Sequence, residues 1–264
     1  MSPGARNWDD LKSRVLTAVA MVVVGLGALW AGGPWFLALL ALVIGLMIWE
    51  LARMISPEQG AAIIVLSVMA GILIFGYSWW PLIPLWFFIG AVPLIGTIWI
   101  SQRRGTFLLY SVVVMSGGIA LYLIRENFGL TWMFWLVSVV VITDIAGYFV
   151  GRTLGGPKFW PRVSPKKTWS GTIGGWVGAV IIGAFFAEST GAGLMLILPS
   201  LALSLASQMG DIAESAIKRA SDIKDSSELL PGHGGVMDRF DGMTGAAFVL
   251  LVILLVTGNI SGLN

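Results

Sequence analysis

The chain has no cysteine, which excludes disulfides, thiolate nucleophiles and cysteine metal sites and leaves the redox compartment open. Charge is also scarce: Asp, Glu, Lys and Arg make up 11% of 264 residues, and the formal net charge is +2. The basic residues form no single solvated run, so nothing points to a nucleic-acid partner. No fixed-period repeat, low-complexity tract or linker interrupts the chain. What is abundant is apolar surface, with 57% hydrophobic residues and a mean hydropathy of +0.88. So little polar surface cannot cover a water-exposed globule, and lipid is the expected solvent.

A transmembrane helix needs about 20 mainly apolar residues. Runs between charges and turn residues give about nine candidates, at 15–33, 34–55, 61–80, 81–101, 107–125, 131–153, 171–190, 194–218 and 244–260. The expected fold is therefore an all-α, polytopic transmembrane bundle forming one domain over 1–264. Residues 1–126 would be a hydrophobic scaffold and 127–264 the catalytic half. Gly-Gly-Pro at 32–34 and Trp-Trp-Pro at 79–81 suit tight hairpin links. Trp30, Trp35, Trp49, Trp79, Trp80, Trp132, Trp160 and Trp169 close apolar runs, where headgroup anchors belong.

With nine spans and a cytoplasmic N-terminus, 15 of the 16 Lys and Arg fall on the cytoplasmic side, Arg125 being the exception. Arg6, Lys12, Arg14, Arg53, Arg103 and Arg104 belong to the inside group, together with the loops from Arg152 to Lys167 and from Lys218 to Arg239. A cleaved signal peptide over 1–33 is disfavoured, because Asp9 and Asp10 do not suit a basic leader and no clear Ala-x-Ala site follows.

Polar residues inside spans concentrate after residue 130. Asp144, Tyr148 and Arg152 recur every four residues, with Gly147, Gly151 and Gly155 near the same face. Asp144 lies roughly 10 Å below its helix end at 1.5 Å per residue. An ionisable group at that depth acts on a substrate or pairs with a neighbour; an Asp144–Arg152 pair is the structural alternative. Ser204, Ser207, Gln208, Asp211, Glu214, Ser215, Lys218 and Asp222 form a longer stripe, which an ordinary amphipathic helix would also show.

Residues 223–242 form a loop that is both charged and glycine-rich. Gly232, Gly234 and Gly235 surround His233, the single histidine, and let backbone amides approach an anion. Asp238 and Asp241, three apart, point one way on a helical turn, an arrangement suited to Mg²⁺; a pair with Arg239 is the alternative. On the same side, 158–171 carries Lys158, Arg162, Lys166 and Lys167 beside Ser164 and Thr168. Cations, hydroxyls and carboxylates together suggest a polyphosphate and a divalent metal, although topogenic or lipid-binding roles account for the cations alone.

The stretch from Ser215 to Asp241 resembles the pattern of the CDP-diacylglycerol synthases, also called phosphatidate cytidylyltransferases. Asp144 through Gly156 and Ser164 through Trp169 resemble the same family, so the similarity covers most of 144–242. Ser170 departs from it, standing where a glutamate is expected. The resemblance implies transfer of a cytidylyl group from CTP to phosphatidic acid, giving CDP-diacylglycerol and pyrophosphate. It further implies Mg²⁺, with room for a second, monovalent cation.

On that resemblance, Asp211, Asp238 and Asp241 are the expected metal ligands, with Asp144 behind them. Lys218, Arg219, Lys224 and Arg239 are expected to hold phosphate oxygens, and Asp225 joins the catalytic group. Tyr148, Arg152, Ser164, Lys166, Lys167, Thr168, Ser215, Gly234 and Gly235 are expected to contact substrate. His233 is either a phosphate donor or acid, or an ordering element of its loop. The implied setting is a bacterial inner membrane with the site facing the cytoplasm, and a homodimer is compatible with the sequence. A transporter would reach its polar groups from both sides, whereas here they crowd one face. The Asp-Gly-x-x-Ala-Arg pattern of CDP-alcohol phosphotransferases is absent, and a noncatalytic scaffold gives no reason for so dense a polar loop.

Overall fold

The structure, a computed structural model, describes residues 3–258, with side chains from Arg14 onward. Arg6, Lys12, Asp9 and Asp10 therefore lie outside the described side chains, and the end of the span expected at 244–260 lies outside the described residues. Nine α-helices are present among the described residues: α1 (Pro3–Ala31), α2 (Gly33–Ile55), α3 (Gly60–Gly76), α4 (Leu85–Trp99), α5 (Arg104–Leu123), α6 (Gly129–Leu154), α7 (Trp169–Phe186), α8 (Ile197–Ala220) and α9 (Met237–Thr257).

Six segments are long and apolar enough to cross a membrane: Arg14–Ala31, Gly33–Ile55, Arg104–Leu154, Trp169–Phe186, Gly193–Ala220 and Met237–Thr257. The spans expected at 61–80 and 81–101 are shorter than anticipated, at 17 and 15 residues. Trp79, Trp80 and Pro81 occupy the turn between α3 and α4, where the Trp80 ring lies against Gly76. Fifteen residues make roughly 22 Å of helix, against a hydrocarbon layer about 30 Å thick.

The 51-residue run Arg104–Leu154 consists of α5, a π turn over Ile124–Phe128 and α6. Gly129, at φ 82°, opens α6 in a conformation that glycine adopts without strain. The two helices run in opposite directions. Arg103, ahead of α5, donates to Ser221 Oγ at the end of α8 (2.9 Å), and the far end of α5 meets the α1–α2 link.

Arg125 explains itself at that link. Its guanidinium donates to Leu29 O (2.7 Å) and Trp30 O (3.2 Å), while Glu126 Oε1 accepts from Gly33 N (2.8 Å). A cation thus meets the carbonyl end of α1 and an anion the amide end of α2, the favourable sense for both helix dipoles. Trp30 and Trp35 flank the link, both exposed.

At the opposite end, the links at 56–59, 100–103 and 221–236 converge, the first two joined by Ser101 Oγ to Glu58 Oε1 (3.0 Å) and Gln102 N to Ser56 Oγ (3.3 Å). The all-α bundle carries one small sheet there. Lys158–Trp160 (β1) and Ser164–Thr168 (β2) form an antiparallel hairpin. It closes through Val163 N to Trp160 O (3.2 Å) and Trp169 N to Pro157 O (3.0 Å), with Phe159 edge-on to Trp169 at 4.6 Å between ring centres.

One apolar cluster runs through both halves of the chain, with Ile48, Leu51, Phe107, Trp135 and Met237 almost fully buried. Exposed apolar side chains remain along α1, α3 and α7, as expected of surfaces that meet lipid. The chain is an integral membrane protein.

Candidate active site

Helices α6 and α7 meet through glycine surfaces, and α8 joins them through polar side chains. A Cβ on Gly171 would overlap Gly147 O and lie 3.2 Å from Gly151 Cα, so α6 and α7 touch backbone to backbone. Gln208 of α8 donates to Thr172 O (3.2 Å) and accepts from Trp176 Nε1 (3.0 Å), tying α8 to α7. Thr168 caps α7, its Oγ1 accepting from Gly171 N (3.2 Å), as hydroxyls favour at that position. Ser170 contacts Thr168 Oγ1 (3.0 Å) and donates to Gly155 O. The departure from the expected glutamate therefore ties the start of α7 to the end of α6.

Above this contact opens a cavity of about 520 Å³. Asp144, Tyr148 and Arg152 line it from α6, Lys158, Lys166, Lys167 and Thr168 from the hairpin, and Asp211 from α8. Arg152 Nη1 donates to Tyr148 Oη (2.6 Å), and among the described residues no ion pair joins it to Asp144. Lys167 Nζ stands 2.5 Å from Asp211 Oδ2 and 3.4 Å from Gln208 O. The two polar stripes are thus brought together across one opening, with Asp144 and Arg152 on α6, the lysines on the hairpin and Asp211 on α8.

Asp211 also belongs to a second cluster. Ligand oxygens of Asp211, Glu214 and Asp241 lie within 4.8 Å of one another. Glu214 is buried, with Oε2 2.6 Å from Lys218 Nζ and Oε1 unpartnered. Asp241 Oδ1 accepts from Gly242 N (2.7 Å), and Ser215 Oγ donates to Asp211 Oδ1 (3.3 Å). Tyr110 Oη and Ser207 Oγ are buried without partners. Close packing of α8 on α9 sets this spacing: a Cβ on Gly210 would overlap Asp241 O, and one on Gly245 would approach Gly210 Cα to 3.1 Å.

Asp238 is held differently. Its Oδ1 lies 2.5 Å from Lys218 Nζ, and its Oδ2 accepts from Ser226 N (2.9 Å), Ser226 Oγ (2.8 Å) and Gly235 N (2.8 Å). Four donors thus meet the Asp238 oxygens and tie it to the loop ahead of α9, while Glu214 is the carboxylate that lies beside Asp211 and Asp241. Lys218 bridges Asp238 and Glu214.

The remaining expected residues lie toward the exposed face. Arg219 Nη1 donates to Ile223 O (3.1 Å), and Arg239 Nε donates to His233 O (2.9 Å). His233 N donates to Leu230 O (2.8 Å), and its Nδ1 stands 3.3 Å from Pro231 O. Gly234, at φ 82°, pairs with Leu230 in a bridge; a Cβ there would stand 2.9 Å from Asp238 Oδ2 and 3.5 Å from Asp225 Cβ. Lys224 and Asp225 are exposed, and Ser164 opens β2.

One further carboxylate lies in the hydrophobic half, ahead of the polar stripes. Glu50, fully buried on α2, accepts from Ser227 Oγ (2.5 Å), Val236 N (2.9 Å) and Met237 N (2.6 Å). Its signal was present, as the lone acid of an apolar span.

Residues 12–257 match the model of the cytidylyltransferase family. The chain belongs to that family. Among curated relatives, the phosphatidate cytidylyltransferase of Brucella suis biovar 1 is 40% identical over 254 residues, covering 92% of each chain. Those of Bacillus subtilis and Haemophilus influenzae are 34% and 31% identical, covering 88% and 89% of this chain and 93% and 96% of their own. The match reaches through α1–α5, well beyond the 144–242 stretch that carries the resemblance. Within the cytidylyltransferase family, then, Glu50 and Tyr110 of the hydrophobic half belong to the matched region as fully as the aspartates do.

Proposed function

We propose that this cytidylyltransferase-family enzyme transfers the cytidylyl group of CTP to phosphatidic acid, forming CDP-diacylglycerol and pyrophosphate at the cytoplasmic face of a bacterial inner membrane. The observation that carries the reading is the meeting of the cation-lined cavity with the Asp211, Glu214 and Asp241 cluster at Asp211. A transporter would need polar groups open to both ends, whereas these gather at one.

The donor set suits Mg²⁺: Asp211 and Glu214 one turn apart on α8 and Asp241 on α9, with one unpartnered oxygen among them, match its preference for a few carboxylates completed by substrate and water. Asp211, Glu214 and Asp241 would hold it, and it would supply charge neutralisation for the polyphosphate. Lys166, Lys167 and Arg152 bind phosphate oxygens along the cavity wall. Lys167, released from Asp211, meets the phosphate that enters between them. Arg219, Lys224 and Arg239 offer exposed cations toward the departing pyrophosphate.

Phosphatidate carries a phosphate monoester whose second ionisation lies near pH 6, so its oxygen needs no strong general base. That oxygen attacks the α-phosphorus of CTP, the bond from that phosphorus to the bridging oxygen of the β-phosphate breaks, and pyrophosphate leaves. Alignment and charge neutralisation supply the rate. In the membrane, nine helices would alternate in direction with the N-terminus inside, a reading supported by the side chosen by 15 of 16 basic residues.

The test is incubation of purified protein in detergent with phosphatidic acid and labelled CTP, with Mg²⁺ or with chelator. Labelled CDP-diacylglycerol should form with Mg²⁺ alone, and Asp241→Ala should reduce it about 100-fold or more. Product at the wild-type rate under chelation removes the metal; product at that rate from Asp241→Ala removes the ligand set.

A further inference from the structure

Glu50 lies in the half of the chain that reads as scaffold, yet every acceptor bond assigned to its carboxylate serves the segment leading into α9. An unpaired carboxylate in an apolar helix is costly. Here Ser227 Oγ and the amides of Val236 and Met237 meet it, at 2.5–2.9 Å. The two amides belong to the start of α9, where backbone donors lack partners within their own helix. The acceptor that satisfies them comes from α2, whose neighbouring residues Ile48 and Leu51 have no exposed surface. Helix α9 is thereby registered against the most buried part of the bundle.

The same contacts continue to the site. Ser226, next to Ser227, holds Asp238 Oδ2 through its amide and hydroxyl, and Asp238 reaches Lys218, which reaches Glu214. A Cβ on Gly235 would run into both Ser226 Oγ and the Glu50 carboxylate, so loop and carboxylate are fitted to each other. Asp241 lies one turn beyond Met237 on α9, opposite Asp211 and Glu214 on α8.

We infer that Glu50 is a positioning residue for cytidylyl transfer, setting the start of α9 so that Asp241 meets Asp211 and Glu214. The inference rests on the proposed role of those three carboxylates. Glu50→Gln keeps shape and volume but removes the charge and turns an amide N–H₂ toward donors. The cavity walls on α6, α7 and the hairpin make none of these contacts, so the larger loss falls on alignment at the three carboxylates and the smaller on CTP binding.

The test uses the full-length enzyme in detergent. Glu50→Gln should lower kcat between about tenfold and about a hundredfold, the scale of a misplacement near 1 Å, with KM for CTP within about threefold. Hydrogen exchange should rise over 226–240 and stay unchanged in the core of α2 and in α6. Ser227→Ala, which leaves Glu50 its charge and two amide donors, should lower kcat about threefold with KM unchanged. Wild-type kcat in Glu50→Gln overturns the inference, as does lost activity accompanied by exchange throughout the bundle. If Glu50→Gln fails to fold, wild-type kcat in Ser227→Ala overturns it. Asp241→Ala run in parallel separates the two readings: activity retained there refutes the ligand set, and activity lost there but retained in Glu50→Gln refutes the positioning role alone.

Discussion

Lys218→Met tests the buried charge network that joins α8 to α9. The ammonium lies 2.5 Å from Asp238 Oδ1 and 2.6 Å from Glu214 Oε2, and the side chains are 11%, 6% and 1% exposed. Methionine keeps the apolar stem and removes the charge. Asp238 retains three donors from Ser226 and Gly235, so most of the cost falls on Glu214. Breaking one side of a buried pair costs up to about 3–5 kcal/mol, less where the carboxyl left behind takes up a proton, and each 1 kcal/mol is about 2–4 °C in Tm for a chain of this size. The assay is thermal unfolding in detergent, followed by tryptophan fluorescence, for Lys218→Met, Glu214→Gln and the double variant. Because Glu214→Gln removes the group left without its partner, the double variant should recover at least about 1 kcal/mol relative to Lys218→Met, the size of coupling seen between contacting groups. Lys218→Met at wild-type Tm, or a double variant whose losses simply add, would refute the network.

Gly171→Ala should destabilise the protein by about 1–3 kcal/mol, the range for overpacking, because its Cβ has no room against Gly147 O and Gly151 Cα; unfolding in detergent measures it, and wild-type stability would deny the backbone contact. Tyr110→Phe removes a buried hydroxyl without a partner, so stability should rise by about 1 kcal/mol; a loss of that size would reveal a hydrogen bond. Because the chain lacks cysteine, single cysteines at Arg162 and Glu228 can be labelled without background. An impermeant maleimide should modify both from the cytoplasmic side of inverted vesicles and neither from the outside of intact cells.

The helical character and order of the apolar runs were legible in the sequence because lipid leaves the backbone few options, each run satisfying its own amides locally, whereas only six segments proved long and apolar enough to cross a membrane. The resemblance around Ser215 to Asp241 was legible for a similar reason, since its residue types are close together in the chain. Trp79, Trp80 and Pro81 were harder, because whether such a group ends a helix or continues it depends on where the indole packs, and Trp80 packs on Gly76. Proximity of Asp144 to Asp211, the pairing of Lys167, the preference of Asp238 for Ser226 and Gly235, and the reach of Glu50 across 186 residues to Val236 were decided by tertiary structure. Periodicity assigns a side chain to a face of its own helix. Which donors that face meets is set by the helices packed against it, and for a carboxylate those donors decide whether it fastens a loop, as Asp238 does, or keeps an oxygen without a partner, as Glu214 does.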